Sequence, residues 1–249
     1  QFQVSDLLKN PQTLAMLAKA VGTQNNWPTS RLQMYELACK QLLAEPNIEH
    51  QAAKRKTRSN DEKLLDAAGY LSCICLIADI QALTLSPTEN DDALDLRAVN
   101  NNDQLPLAEC LETRLFQSIG NERFAPAHRT VAEHLAAQFI TKRLGSGLHI
   151  SRVLALICGA DGGVVTGLRG LHAWLAACTE IQRGRLIETD PVGVLLYGDA
   201  KGFPLSDKTK LLQALYSDPE QLSGVHWQDW GVQPFASLAT RDMAAEFER

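Results

Sequence analysis

The apolar residues in the first fifty positions of the chain recur at the three- and four-residue spacing of amphipathic helices. A first helix follows Asn10-Pro11, an N-cap residue and a proline at the first helical position, and ends at Gly22. A second helix begins near Thr29-Ser30 and ends before Pro46. The pattern predicts a small helical domain over residues 1–50.

The next segment, residues 51–145, alternates helices with short strands. Its polar start contains a basic run, KRKTR at 54–58, which is typical of a solvated linker. A Ser59-Asn-Asp-Glu62 capping box then predicts a long helix, and a short strand is predicted at 82–85. Residues 86–104 are acidic and rich in asparagine, which favours a loop.

The same segment ends with a short helix over 105–113 and a hairpin around Gly120-Asn121. A last helix begins either at Pro126 or at a second capping box formed by Thr130 and Glu133. The order helix, short strand, helix, hairpin, helix is that of a winged helix-turn-helix domain. In the last helix His134 lies beside the apolar stripe, so this side chain is expected at the surface.

In residues 146–249 the apolar spacing predicts helix pairs, separated by Asp-Pro and Gln-Pro dipeptides. The spacing is similar to that of HEAT-type repeats, although no repeat is clear enough to count. The predicted fold is therefore mainly α, with a small helical domain, a winged-helix domain with a short β wing, and an α-helical third domain. The helices predicted in the third domain cover residues 149–158, 165–178, 191–198, 206–216 and 235–247.

The charge pattern argues against nucleic acid as a partner. The formal net charge of the 249 residues is -5, so the chain has no general basic field. Between Ser86 and Thr113, which includes the predicted recognition helix, seven acidic residues face one basic residue, Arg97. Such a face would repel phosphate. The acidic residues are Glu89, Asp91, Asp92, Asp95, Asp103, Glu109 and Glu112.

The six cysteines indicate a reducing compartment, because they are scattered, form no CxxC pair and lie within apolar helical patterns. Cys73 and Cys75 point to different helix faces, which argues against a shared metal. The sequence also contains no export signal and no apolar run of about 18 residues, so no membrane span is predicted. We therefore expect a cytoplasmic protein.

Motifs for enzymatic chemistry are absent from the sequence. No G-x-x-x-x-G-K-[ST] loop is present, and the glycine-rich piece CGADGGVVTGLRG at 158–170 lacks the lysine and hydroxyl that such a loop needs. The hydrophobic piece ICLIAD at 74–79 continues a helical pattern and is predicted to be core helix. Zinc-protease and nucleophile-elbow motifs are also missing. Whether the chain belongs to an enzyme is left open by these residues.

His128 is the residue that raises a functional question, because ERFAPAHRTVAEHLAA places it at the mouth of an apolar helix. It could be a packed histidine bonded to a carbonyl, a metal ligand, or a donor to a phosphate. A pair of metal ligands with His134 is disfavoured, because a spacing of six residues places the two on different parts of the helix. An imidazole N–H beside a helix N-terminus would add a donor where the helix already favours an anion.

Three stretches together resemble the STAND-class signalling NTPases, specifically the bacterial NACHT-type proteins related to animal inflammasome sensors. LLKNPQTLAMLAKAV at 7–21 is similar to the N-P-L-x-L helix of the family's helical lid. WPTSRLQMYELACKQLL at 27–43 is similar to the helix that follows the lid, and FAPAHRTVAEHLAA at 124–137 to the signature that closes the winged helix. The last stretch departs from the family pattern by two extra residues, Ala125 and Pro126, ahead of the histidine.

The resemblance implies specific roles for two residues. Pro11 would pack against an adenine ring, whereas the residues alone explain it as an ordinary helix start. His128 would donate a hydrogen bond to the β-phosphate of ADP in a closed, resting state. ATP or ADP with magnesium would be held by a P-loop domain upstream in the same protein, and no nucleotide is expected on this chain alone.

The chain begins at Gln1 without an initiator methionine, so we expect it to be a fragment of a longer signalling ATPase. By resemblance it would inhibit the resting protein and relay activation through self-oligomerisation, triggered by an unidentified ligand. The bacterial members of the family also suggest a role in defence against phage or another foreign component. Two alternatives remain open from the residues. One is a winged-helix DNA-binding transcription regulator with a helical effector domain, and the other is a helical-repeat scaffold without a ligand.

Overall fold

The computed structural model describes residues 28–44, 59–86, 93–99, 104–217 and 233–247. Within these ranges the protein is mainly helical with one small four-stranded sheet, which confirms the predicted mainly α class with a short β element. The described residues fall into two compact units, and the division lies at Phe139–Ile140, inside one continuous helix. The first predicted helix with Pro11, and the basic run at 54–58, lie outside the described residues.

The first unit contains four helices among its described residues. The longest two, α2 and α4, have 17 residues each. The helices are α1 (Arg31–Ala44), α2 (Asp61–Ile77), α3 (Leu107–Leu111) and α4 (Arg129–Gly145), the last of which continues into the second unit.

The start of α2 differs from the predicted capping box. Asn60 is the N-cap, and its Oδ1 accepts the N–H of Lys63 at 2.8 Å. Ser59 lies one residue earlier and binds Glu109 instead, donating from its N–H at 2.9 Å and from its hydroxyl at 2.6 Å. The capping signal at residues 59–62 was therefore correct for a helix start, but the serine ties that start to α3.

Close approach of α2 and α4 depends on a glycine. A Cβ added at Gly69 would lie 2.7 Å from the carbonyl oxygen of Leu135 and 2.7 Å from Cβ of Phe139. Distances under 3.0 Å do not occur for real Cβ atoms without movement of the neighbour. The Cys73 thiol also lies against this helix, 3.5 Å from the carbonyl oxygen of Ala136. Small side chains on α2 thus allow α4 to pack against its backbone.

The sheet confirms the predicted strand and hairpin. Its order is β2-β1-β4-β3, with β1 antiparallel to β4 and β4 antiparallel to β3. The sheet is preceded, interrupted and followed by helices α2, α3 and α4 along the chain. The strands are β1 (Ala82–Thr84), β2 (Ala93–Asp95), β3 (Phe116–Ser118) and β4 (Arg123–Pro126).

The predicted loop at 86–104 is only partly a loop. Within it β2 pairs in parallel with β1, with Ala82 opposite Ala93 and Thr84 opposite Asp95. A 3-10 turn follows at Leu96–Ala98, and the Asp95 carboxylate accepts the Arg97 N–H at 2.9 Å to cap it. The short run Ala-Leu-Asp was too brief to be recognised among so many polar residues.

In the described part of the second unit the regular elements are helices, joined by turns and one β-bridge. Most predicted helices are present, but α7 was missed, because it is short and carries few apolar residues. The single helix predicted at 235–247 is divided into two short helices joined through a 3-10 turn at Arg241–Met243. The helices are α5 (Ile150–Ile157), α6 (Arg169–Cys178), α7 (Arg183–Thr189), α8 (Pro191–Tyr197), α9 (Leu205–Ser217), α10 (Gln233–Ala236) and α11 (Ala244–Phe247).

A buried arginine joins three of these helices. Arg183, which begins α7, donates to the carbonyl oxygen of Ala176 at 2.8 Å and to Oδ2 of Asp207 at 2.9 Å. Its guanidinium also lies 4.6 Å from the ring centroid of Phe203. The charge is thus compensated inside the unit, and it satisfies a carbonyl at the end of α6.

Candidate functional site

The candidate site is the N-terminal end of α4, which follows the β3–β4 hairpin directly in the chain. The N–H of Ala127 donates to the carbonyl oxygen of Leu115 at 2.9 Å, which fixes the chain beside β3. The carbonyl oxygen of His128 accepts the N–H of Ala132 at 3.0 Å. The helix therefore begins at Arg129, and neither predicted start, Pro126 or Thr130, is correct.

This start leaves the first turn of α4 able to receive an anion. The N–H of Ala132 makes the first intrahelical bond, so the backbone N–H groups of Thr130 and Val131 have no acceptor within the helix. They point along the axis toward the end at which His128 lies. A helix of 17 residues adds the positive end of its dipole at the same place.

The His128 imidazole is half-buried at this end. Loss of hydration lowers its pKa below the ordinary histidine value, which favours the neutral ring at neutral pH. A neutral imidazole carries one N–H donor and one acceptor. No group of three or more metal-ligating side chains occurs among the residues that the structure describes, so nothing there supports the metal-ligand interpretation of His128.

Charged side chains surround the first two turns of α4. Glu133 is buried, and Nε of Arg129 donates to its Oε1 at 3.1 Å. Burial raises the pKa of Glu133, while Arg129 and Arg31 act in the opposite direction. Glu133 thus pairs with the first residue of the helix and does not form the predicted capping box with Thr130.

His134 contradicts the expectation of an exposed side chain. It is fully buried, and its ring lies 5.6 Å from that of Tyr35 in α1, measured between centroids. Burial lowers its pKa to about 3, so the ring is uncharged at neutral pH. The expectation was wrong because α4 is covered on more than one side, and every residue from 131 to 137 is buried.

The other predicted features have simpler outcomes. Pro11 lies outside the described residues, so its role stays a prediction. The piece at 74–79 is helical through Ile77, as predicted, but only Cys75 in it is buried, and Ala78 and Asp79 lie beyond the helix and are exposed. The glycine-rich piece connects α5 to the 3-10 turn at Thr166–Leu168, closed by a single β-bridge between Cys158 and Val164. It is the predicted connecting turn.

Two carboxylates of the acidic segment between Ser86 and Thr113 bind other residues of the protein, which the sequence did not indicate. The Asp95 carboxylate binds the side chain of Arg97, the single base of that segment, with 3.0 Å between its Oδ1 and Nε. The Glu109 carboxylate binds Ser59. Arg97 is therefore paired with an acidic side chain, and neither contact adds positive charge that could bind a phosphate backbone.

No helix within the described ranges is both long enough and apolar enough to cross a membrane. The chain matches no protein-family model, and no curated protein matches it significantly.

Proposed function

We propose that this chain is the regulatory, nucleotide-sensing part of a STAND/NACHT-type signalling ATPase. In this proposal the winged-helix unit closes over ADP bound to an upstream P-loop domain, and His128 donates a hydrogen bond to the β-phosphate. The observation that carries the proposal is the half-buried imidazole of His128 at the N-terminal end of the 17-residue helix α4.

The chemistry at this position suits a resting-state contact. A phosphate oxygen at the end of α4 would receive the first-turn N–H groups and the imidazole N–H together. The approach of an anion would also favour protonation of the ring, which strengthens the bond. Hydrolysis and magnesium binding are assigned to the P-loop domain, because the sequence of this chain contains no motif for either.

Activation would then be a shift between two states. ADP favours the closed state only to the extent that it binds that state more tightly than the open one. Release of α4 from the nucleotide would permit self-oligomerisation in the cytoplasm. The trigger is a ligand that the sequence does not identify, and a role in bacterial defence follows from the resemblance to bacterial relatives.

The experiment compares His128→Ala with wild type in the full-length protein. A hydrogen bond to a charged group contributes about 1.5–3 kcal/mol, so we expect ADP to dissociate about ten- to hundredfold faster, with more oligomer at rest. The matched control is His149→Asn, because His149 is an exposed histidine that caps α5 and asparagine preserves an N-cap acceptor.

Unchanged ADP retention and unchanged resting oligomerisation in His128→Ala would contradict the proposal and favour a scaffold without a ligand. Salt-sensitive DNA binding in a shift assay at two salt concentrations would instead favour the transcription regulator.

A further inference from the structure

A second histidine, far along the sequence from the proposed nucleotide contact, is buried without a hydrogen bond. His172 lies in α6 with none of its surface exposed. Neither of its ring nitrogens, Nδ1 or Nε2, has a hydrogen-bond partner among the described residues. An imidazole has both a donor and an acceptor, and leaving them unsatisfied in a core is costly.

The two charged groups that act electrostatically on the His172 ring, Asp190 and Arg169, form an ion pair with each other. Arg169 donates to Asp190 from Nε at 2.8 Å and from its terminal nitrogen at 2.7 Å. Asp190 is buried in the turn between α7 and α8. Because α6 packs against both α7 and α8, this pair joins the helix that carries His172 to the start of α8.

Asp190 also caps α8. Its Oδ1 accepts the N–H of Gly193 at 2.8 Å, so both carboxylate oxygens are already bound. Any side chain at position 193 would collide with this carboxylate, which explains the glycine. The Asp190 carboxylate therefore stabilises two features. It links α6 to α8 through Arg169, and it caps the N-terminus of α8 through the N–H of Gly193.

The electrostatic surroundings keep His172 neutral in the folded unit. Burial is the main cause of its pKa of about 4, Asp190 raises the value and Arg169 lowers it. In the loop after α5, burial raises the pKa of the half-buried Cys158 thiol, and the charges of Asp161 and Asp190 add to this effect. From α8, the ring of Tyr197 lies 5.9 Å from the Arg169 guanidinium.

We propose that His172, Asp190 and Arg169 form an acid-sensitive latch in the second unit. A proton on His172 creates a buried cation near the half-buried Arg169, with Asp190 as the carboxylate that both cations share. The imidazolium then competes with Arg169 and with the N–H of Gly193 for the Asp190 carboxylate, which weakens its hold on both. Acid therefore loosens the α6–α8 contact and the start of α8 together.

The test uses this chain and follows the Gly193 amide and the Trp174 indole by NMR between pH 7 and pH 4. Trp174 is buried two residues from His172, so its indole reports on the packing of α6. We expect both signals to change together, and the histidine ring signal of His172 to titrate in the folded chain well below pH 6.5. His172→Gln, which cannot take up the proton, should remove this transition, and His149→Asn should leave it in place.

A transition that is the same in His172→Gln as in wild type would overturn the latch, as would a His172 ring that titrates near pH 6.5. Hydrogen exchange on the wild-type chain keeps the test decisive if the variant does not fold. Corrected for the intrinsic rate, protection of the Gly193 amide should fall at least about tenfold between pH 6.5 and pH 4.5. Equal protection at the two pH values would contradict the proposal.

Discussion

His128, His134 and His172 differ in burial, and burial is the main cause that lowers the pKa of each. The two fully buried rings have the largest shifts. His128 keeps access to solvent, so it can respond to a ligand at neutral pH, whereas His134 serves packing in the first unit. Position relative to neighbouring helices therefore decides the burial of each histidine, and the sequence placed only His128 correctly, at the start of a helix.

The buried His134 predicts how stability depends on pH. The unfolded chain takes up the proton near pH 6.5, while the folded chain resists it until about pH 3. The stabilisation is complete above pH 6.5 and is lost as the pH falls toward 3. Between pH 7 and pH 5 we expect the first unit to lose about 2 kcal/mol from this group.

The measurement is urea denaturation at pH 7 and pH 5, with wild type compared to His134→Gln. The variant should lose less stability on acidification than wild type by about the same 2 kcal/mol. Equal losses in the two proteins would show that His134 is already protonated or accessible in the folded state. His149→Asn, an exposed histidine, should behave as wild type.

At the scale of elements, periodicity and turn residues predicted most of the fold. The helix at 61–77, the strand at 82–84 and the hairpin around Gly120-Asn121 follow from long apolar patterns and from residues that tolerate positive φ, as Gly120 and Asn121 do. What the sequence missed was short or set by tertiary pairing, as with β2 and α7. Single-face periodicity also cannot indicate that a helix such as α4 is covered on more than one side.

Packing of α2 on α4 predicts an asymmetric response to two glycine substitutions. Gly69→Ala forces a methyl group against the backbone of Leu135, so we expect a loss of about 1–3 kcal/mol from overpacking. Gly145→Ala, at the end of α4, has no atom within 4 Å of the new Cβ and should be neutral or slightly stabilising. Thermal melts of both variants check this, and a Gly69→Ala protein as stable as wild type would contradict the close approach.

At the scale of the whole molecule, the two units have separate proposed roles. The first carries the four-stranded sheet and the candidate phosphate contact, and the second carries ion pairs that join its helices. The fold alone does not select between a nucleotide switch and a DNA-binding regulator, since one fold supports many functions. The local chemistry at the start of α4 and the acidic segment before it favour the nucleotide switch.

The sequence predicted the candidate site only in part. His128 was placed at a helix mouth by the apolar pattern that follows it, but the first residue of α4 was set by the bond between Ala127 and Leu115. That bond joins the end of the hairpin to the start of β3, so no local signal could indicate it. Pro11 was predicted from the resemblance and lies outside the described residues.

The most direct test of the central claim is a structure of the intact protein with ADP bound. The account predicts a phosphate-cradling loop in the part of the protein that precedes this chain, with a ring nitrogen of His128 within about 3 Å of a β-phosphate oxygen. A bound ADP with its phosphates remote from the start of α4, or an intact protein that has no such loop and binds no nucleotide, would contradict it.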